Sequence, residues 1–89
     1  MKAIVTVVGT DRVGIIASVS ALLAARGVNS LDVSQTILDR YFTMMMLADT
    51  SGASESFAEL ADALEREGTA LGLSIRIQRE DIFEAMHRI

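Results

Sequence analysis

Residues 2–29 decide the fold, and they read KAIVTVVGTDRVGIIASVSALLAARGVN. Residues 3–8 are apolar and mostly β-branched, which is typical of a central strand that is covered on both sides. After a turn at residues 9–12, residues 13–26 change to a helical period, and Gly27 is placed to end that helix as its C′ residue. The apolar stripe of this helix consists of Ile15, Ile16, Val19, Leu22 and Leu23.

The turn between this strand and this helix combines groups that suit the charged end of a small metabolite. Gly14 is expected to permit close approach at the helix start, where backbone N–H groups lack partners. Asp11 supplies a carboxylate, and Asn29 stands at the mouth of the next extended segment. We expect the glycine, the carboxylate and the free N–H groups of the helix start to lie beside one another. Each also has a structural explanation: tight helix–strand packing at Gly14, a turn or helix cap at Asp11, and turn stabilisation at Asn29.

Composition limits the class of protein. Eighty-nine residues make one domain, and a hydrophobic fraction of 51% argues against disorder. The net charge of −4 and the scattered basic residues are a poor match to a nucleic-acid binder. The chain has no cysteine, no recognisable signal peptide and no apolar run near the ~20 residues of a membrane span, so we expect a cytoplasmic domain.

The rest of the chain continues with alternating elements. Residues 28–38 and 41–48 have the two-residue period of strands, joined by a tight reversal at Asp39 and Arg40. Ser56 and Glu59 have the spacing of a capping box at the start of a second helix, which we expect Gly68 to end. Residues 71–77 then predict a half-exposed strand.

Residues 80–89 predict a short amphipathic helix after the last strand. Acidic residues 80 and 81 and basic residues 87 and 88 match the helix dipole, and the apolar positions are Ile82, Phe83, Met86 and Ile89. The order β-α-β-β-α-β predicts a ferredoxin-like α+β sandwich in a single domain over residues 1–89, with a core over residues 1–79. Its four-stranded antiparallel sheet would carry two helices on one face and have the first and third strands at its centre.

The two middle strands of the sequence divide into two faces. We expect the core face to carry Leu31, Val33, Ile37, Phe42, Met44, Met46 and Ala48. The other face is expected to be open and to carry Leu38, Tyr41, Met45 and Leu47. Apolar groups on a solvated sheet face indicate a partner surface, so we expect a homodimer or a higher homo-oligomer.

These features together resemble the ACT domain, a ferredoxin-like ligand-binding module of regulated amino-acid enzymes. The resemblance rests on VGTDRVGI at residues 8–15 and GVN at residues 27–29. SQTIL at residues 34–38, YFTM at residues 41–44 and DIF at residues 81–83 are similar to small stand-alone bacterial and archaeal ACT proteins. That group is similar to the ACT modules of the glycine cleavage system repressor and of formyltetrahydrofolate deformylase.

The resemblance implies a binding site for an effector, often an amino acid, at a subunit interface. Matched by motif, the implied ligand-binding residues are Asp11, Gly14 and Asn29, with Arg12 and Val13 beside them. Backbone amides at residues 12–14 would meet a carboxylate, while Asp11 and Asn29 would meet an amine. Binding would stabilise one assembly and so regulate a protein partner.

Two other functions stay open: a ligand-free assembly module, and, less favoured, a small enzyme on the same fold. Ser18 and Ser20 have no evident partner base, so the sequence predicts no catalytic residue. Met45 should point away from Met44 and Met46, which favours core filling over metal binding. The single histidine, His87, suits a helix-dipole contact. We therefore expect no metal and no cofactor.

Overall fold

The computed structural model describes residues 1–10 and 14–81. Six elements follow one another in the order βαββαβ: β1 Lys2–Gly9, α1 Ile15–Ala25, β2 Asn29–Leu38, β3 Tyr41–Asp49, α2 Phe57–Ala70 and β4 Ser74–Arg79. The strands form one sheet in the order β2-β3-β1-β4 with antiparallel neighbours. The predicted ferredoxin-like fold is confirmed, and β1 and β3 are central as expected.

The predicted C-terminal helix lies outside the described residues apart from its first two positions. Glu80 and Asp81 have helical backbone, and Arg79 donates from Nη2 to Oδ2 of Asp81 at 2.9 Å. Within residues 1–10 and 14–81, no helix is long and apolar enough to cross a membrane.

Both helices end in the same way, at a glycine with a left-handed backbone. Gly27 has φ +76°, and the N–H of Val28 reaches the carbonyl of Leu23 at 2.9 Å, so Gly27 ends α1 as predicted. The corresponding residue of α2 is Gly72, with φ +77°, and not Gly68. The prediction at Gly68 was wrong because this glycine serves packing: a Cβ there would lie 2.7 Å from Cγ1 of Ile75.

The capping box at the start of α2 is confirmed. The backbone N–H of Glu59 donates to Oγ of Ser56 at 3.2 Å, and the backbone N–H of Ser56 donates to Oε1 of Glu59 at 3.0 Å. Hydrogen bonds to the Glu59 carboxylate from the backbone N–H of Ser56 and then from its side chain lower the pKa of Glu59. The first turn of α2 is therefore closed by its own side chains.

The core lies between the helices and one face of β1, β3 and β4. Met44 and Met46 are buried while Met45 is 37% exposed, as the alternation predicted. The fully buried large side chains are Leu23, Met44, Met46, Leu60, Leu64, Ile75, Val5, Val7 and Val19. The core is therefore aliphatic and rich in methionine.

Strand β2 contradicts its predicted place in the core, because every one of its residues is exposed. Val33 and Ile37 lie on the helix side of the sheet, opposite Met46 and Phe42, yet they are 40% and 53% exposed. The reason is position: β2 is an edge strand, and the two helices leave its helix side more than one-third exposed. Leu31, 47% exposed, falls at a bulge between Ser30 and Asp32 and so leaves the expected alternation.

The second face of the sheet is open in the single chain. Met45, Tyr41 and Leu38 are exposed there, as predicted, and Leu47 is half-buried. The expectation that β1 is covered on both sides was wrong, since Val8 on this face is 40% exposed. The apolar residues on both faces of β1 therefore did not mean that both faces are covered in the single chain.

Candidate ligand site

Two of the predicted ligand residues, Gly14 and Asn29, lie at opposite ends of the sheet. Strand β3 pairs with both β1 and β2 in antiparallel fashion, so β1 and β2 run parallel. Asn29 and Lys2 both pair with Asp49, which puts Asn29 at the end where β1 begins. Gly14 follows the other end of β1, about 23 Å away along eight residues. Gly14 and Asn29 therefore lie far apart in one chain, because α1 carries the chain back along the whole sheet.

The start of α1 presents backbone donors that its first residue cannot cap. Gly14 occupies the N-cap position with φ 75° and ψ 2°, and the first helical bond runs from the N–H of Ser18 to its carbonyl at 2.9 Å. The N–H groups of Ile15, Ile16 and Ala17 precede that bond, and the first turn has no acidic residue. This helix start is suited to an anionic group, in contrast to the self-capped start of α2.

Gly14 is required for its conformation and not for close packing. An added Cβ would meet no atom of the described residues within 4 Å, but the left-handed φ disfavours other side chains. The close approach occurs at Gly9, where a Cβ would lie 2.6 Å from Cδ2 of Leu73. Asp11, Arg12 and Val13, the other ligand residues predicted here, lie outside the described residues.

Asn29 begins β2 with an exposed side chain. Its strand partner Asp49 accepts from the backbone N–H of Ser51 at 3.0 Å and from its hydroxyl at 2.8 Å. These bonds, with the nearby terminal amine of Met1, lower the pKa of Asp49. The carboxylate is therefore held in its charged form beside the start of β2.

An ion-pair cluster that the sequence did not reveal lies just before Asn29. Arg26, the C-cap residue of α1, donates from Nη1 to Oε1 of Glu55 at 2.7 Å and from Nη2 to Oε1 of Glu67. The bonds to Glu67 and then Glu55 raise the pKa of Arg26. Its Nε is buried and has no partner among the described residues. Glu55 is half-buried and is held by this arginine.

The cluster borders an open depression of about 590 Å³. Two glycines form its floor: a Cβ at Gly52 would lie 2.8 Å from the carbonyl oxygen of Gly27. The α1–β2 turn thus packs backbone to backbone against the loop between β3 and α2. No sequence signal could have identified the cluster, because 29 and 41 residues separate Arg26 from its two partners.

Metal chemistry finds no support in the part of the chain that the structure describes. Residues 1–10 and 14–81 contain no group of three or more His, Cys, Asp or Glu side chains placed to hold a metal ion. The chemistry that this part of the chain offers is hydrogen bonding and ion pairing at the start of α1 and around the start of β2.

Comparison with known proteins covers nearly the whole chain. Residues 2–78 match the model of the ACT domain. A UPF0237 protein of Clostridium acetobutylicum is 53% identical over 89 residues, 100% of both chains. The structure of an ACT domain protein from Streptococcus pneumoniae superposes with a TM-score of 0.84 at 47% identity, covering 98% of each chain. A protein described as a glycine cleavage system transcriptional repressor has a TM-score of 0.68 at 27% identity, covering 86% of this chain and 44% of its own.

Proposed function

Because the chain belongs to the ACT domain family, we propose that it is a regulatory domain that binds an amino acid or a related small zwitterion between two subunits. ACT domains are commonly regulatory ligand-binding domains and often dimerise. The observation that carries the proposal is the exposed edge strand β2, which has no cover on its outer edge or on either face. The role is binding and regulation, without a catalytic step or a cofactor.

Pairing of two β2 edges would complete the site. In a two-fold antiparallel pair, the start of one β2 lies beside the end of the other. The end of β2 is level with the end of β1, because Ile37 and Gly9 both pair with Phe42. The partner subunit's Asn29 would then stand at the same end of the sheet as Gly14. A single chain leaves these two residues at opposite ends of the sheet, whereas the two-fold pair would place them at the same end.

The two sheet edges differ in a way that favours β2 for this pairing. Strand β2 has ten residues and carries no lysine, arginine or proline, the residues that protect natural edges. Strand β4 has six residues and carries Arg76 and Arg79. Pairing at β2 would also cover the exposed helix-side groups Val33 and Ile37. A long and partly apolar edge whose one charged residue is Asp32 is the better template for a second copy.

The ligand would be held by its two charges. The unpaired N–H groups at the start of α1 would receive the carboxylate. Asp11 and the side-chain oxygen of the partner subunit's Asn29 would accept from the ammonium group. Binding at the junction of two subunits would stabilise the pair relative to separate chains and would thereby act on a regulated partner. Such a role places the protein in the cytoplasm with the enzymes of small-molecule metabolism.

A panel of melting curves tests this function. The protein is heated with each of the common amino acids at millimolar concentration, as wild type, Asp11→Ala and the control Asp62→Ala. A ligand that binds only the native state adds roughly 2.7 kcal/mol at a hundredfold excess over Kd, and about 1 kcal/mol moves the melting temperature of a small domain by ~4–8 °C. We expect a selective increase that Asp11→Ala weakens and Asp62→Ala retains.

The second candidate is a ligand-free assembly module, which the exposure of β2 along its whole length also favours. Such a module would dimerise through the same edge but respond to no member of the panel. A flat response across all the amino acids, with a stable dimer, would support assembly alone and overturn the ligand-binding function.

A further inference from the structure

Three successive residues anchor the turn that leads into Asn29. Arg26 bridges Glu55 and Glu67, Gly27 packs against Gly52, and the side chain of Val28 is 4% exposed. Asn29 then enters the sheet with an exposed side chain. The direction of that side chain therefore depends on how the turn is held against the rest of the fold.

Among the described residues, the Arg26 side chain makes the only hydrogen bonds that link the α1–β2 turn to Glu55 and Glu67. Glu55 lies in the loop ahead of α2, and Glu67 lies on α2 itself. The backbone bonds of the turn run from residues 26, 27 and 28 back into α1. Gly27 packs against the loop at Gly52. Arg26 thus adds a hydrogen-bonded link from the turn to α2 through Glu67.

This arrangement is poorly suited to providing stability alone. Arg26 is 23% exposed and its partners 30% and 33%, so all three charges lose much of their hydration. The buried Nε gains no hydrogen bond from the described residues in return. Partly buried ion pairs of this kind are often replaceable by apolar side chains of similar size at little cost. An apolar side chain at this position could not make directional hydrogen bonds to two separate carboxylates.

We propose that Arg26 is a positioning residue for the ligand site: it holds the α1–β2 turn between Glu55 and Glu67 and so fixes the orientation of Asn29. The inference rests on the proposed function for the role of Asn29. The inference concerns the orientation of Asn29 within a single chain, so it can be tested without any ligand. A loosened turn would let Asn29 sample several orientations, and its side chain would no longer be preset for a partner subunit.

The test uses the fact that Asn29 is the only asparagine of the chain. Protein labelled with 15N-asparagine gives one backbone amide signal and one side-chain NH2 pair. In Arg26→Met we expect both to shift and the backbone amide to exchange with solvent about tenfold faster. The melting temperature is measured as well, because removal of Arg26 leaves two partly buried carboxylates without their partner. The control Arg66→Met removes an exposed ion pair with Asp62 and should leave the Asn29 signals unchanged.

Two conservative variants separate positioning from general destabilisation. Arg26→Lys keeps one charge and should restore the Asn29 signals in part, because an ammonium group reaches one carboxylate but cannot bridge two. Glu67→Gln should give an intermediate effect, and it covers the case in which Arg26→Met fails to fold. Unchanged Asn29 signals and exchange in Glu67→Gln and in a folded Arg26→Met would overturn the inference. A flat amino-acid panel would overturn the proposed function and leave this result standing.

Discussion

Gly14 and Asn29 stand at opposite ends of one sheet, separated by the eight residues of β1. A small zwitterion spans far less than this distance, so one chain cannot hold it with both residues. The parallel course of β1 and β2 is the cause, since it sends the start of α1 and the start of β2 to different ends. In the proposed two-fold pair through β2, the partner subunit's Asn29 would lie at the same end of the sheet as Gly14.

The pairing of β2 edges predicts a dimer that a charge on that edge should break. Val33→Lys and Ile37→Lys put an ammonium group into the surface that the second copy would cover. Sedimentation at tens of micromolar should show a dimer for wild type and monomers for both variants. Leu71→Lys is the control, because Leu71 is 51% exposed beside the opposite edge of the sheet. A monodisperse wild-type monomer would count against the interface.

The left-handed backbone of Gly14 predicts that variants at this position lose different amounts of stability. The left-handed φ costs a residue with a Cβ roughly 1–2 kcal/mol, while the space around Gly14 admits the atom. Gly14→Asn should therefore retain more stability than Gly14→Val, because asparagine tolerates this region. Ser18→Val, inside α1, is the control and should change the melting temperature less than Gly14→Val. Equal melting temperatures for all three would show that Gly14 needs no special conformation.

The capping box predicts the cost of losing one hydroxyl. Ser56→Ala removes the acceptor for the N–H of Glu59 and should destabilise the protein by about 1 kcal/mol. Ser54→Ala, two residues earlier in the loop, serves as the control. Equilibrium urea unfolding measures both variants. Equal midpoints for Ser56→Ala and wild type would contradict the capping assignment.

Acid sensitivity follows from the carboxyls whose pKa values are lowered in the folded state. Hydrogen bonds from Ser51 lower the pKa of Asp49, so its contribution to stability is complete above the unfolded pKa. That contribution is lost as the pH falls through the lower, folded pKa. Asp49→Asn should therefore flatten the acid side of the stability–pH curve relative to wild type. Parallel curves for wild type and Asp49→Asn would contradict this assignment.

Hydrophobic periodicity was sufficient to predict the order of the six elements and the two central strands. Prediction from sequence failed at positions where the same sequence pattern can arise from two different structural causes. Gly68 has the character of a helix-ending glycine, but it is a contact point for Ile75, and only the folded geometry distinguishes these. Val33 and Ile37 alternate like core residues, because an exposed face of an edge strand can have the same pattern as a face covered by a helix.

The candidate site was predictable in part. The residue types at the start of α1 and at Asn29 follow from local motifs, and the positive φ of Gly14 fits the reason for a glycine there. Their separation does not follow from a motif, since it depends on the direction of α1 across the sheet. Arg26 could not be found at all, because its partners are distant in the sequence and become neighbours only through folding.

Mixing two defective variants tests the shared site most directly. Asp11→Ala damages the half at the start of α1, and Asn29→Ala damages the half at the start of β2. The probe is the amino acid that gives the largest shift in the melting panel, titrated calorimetrically into each variant and into an equimolar mixture after subunit exchange. The mixed dimer should contain one intact site, so the mixture should recover about a quarter of the wild-type sites. No recovery above the two separate variants would contradict a site built from two subunits.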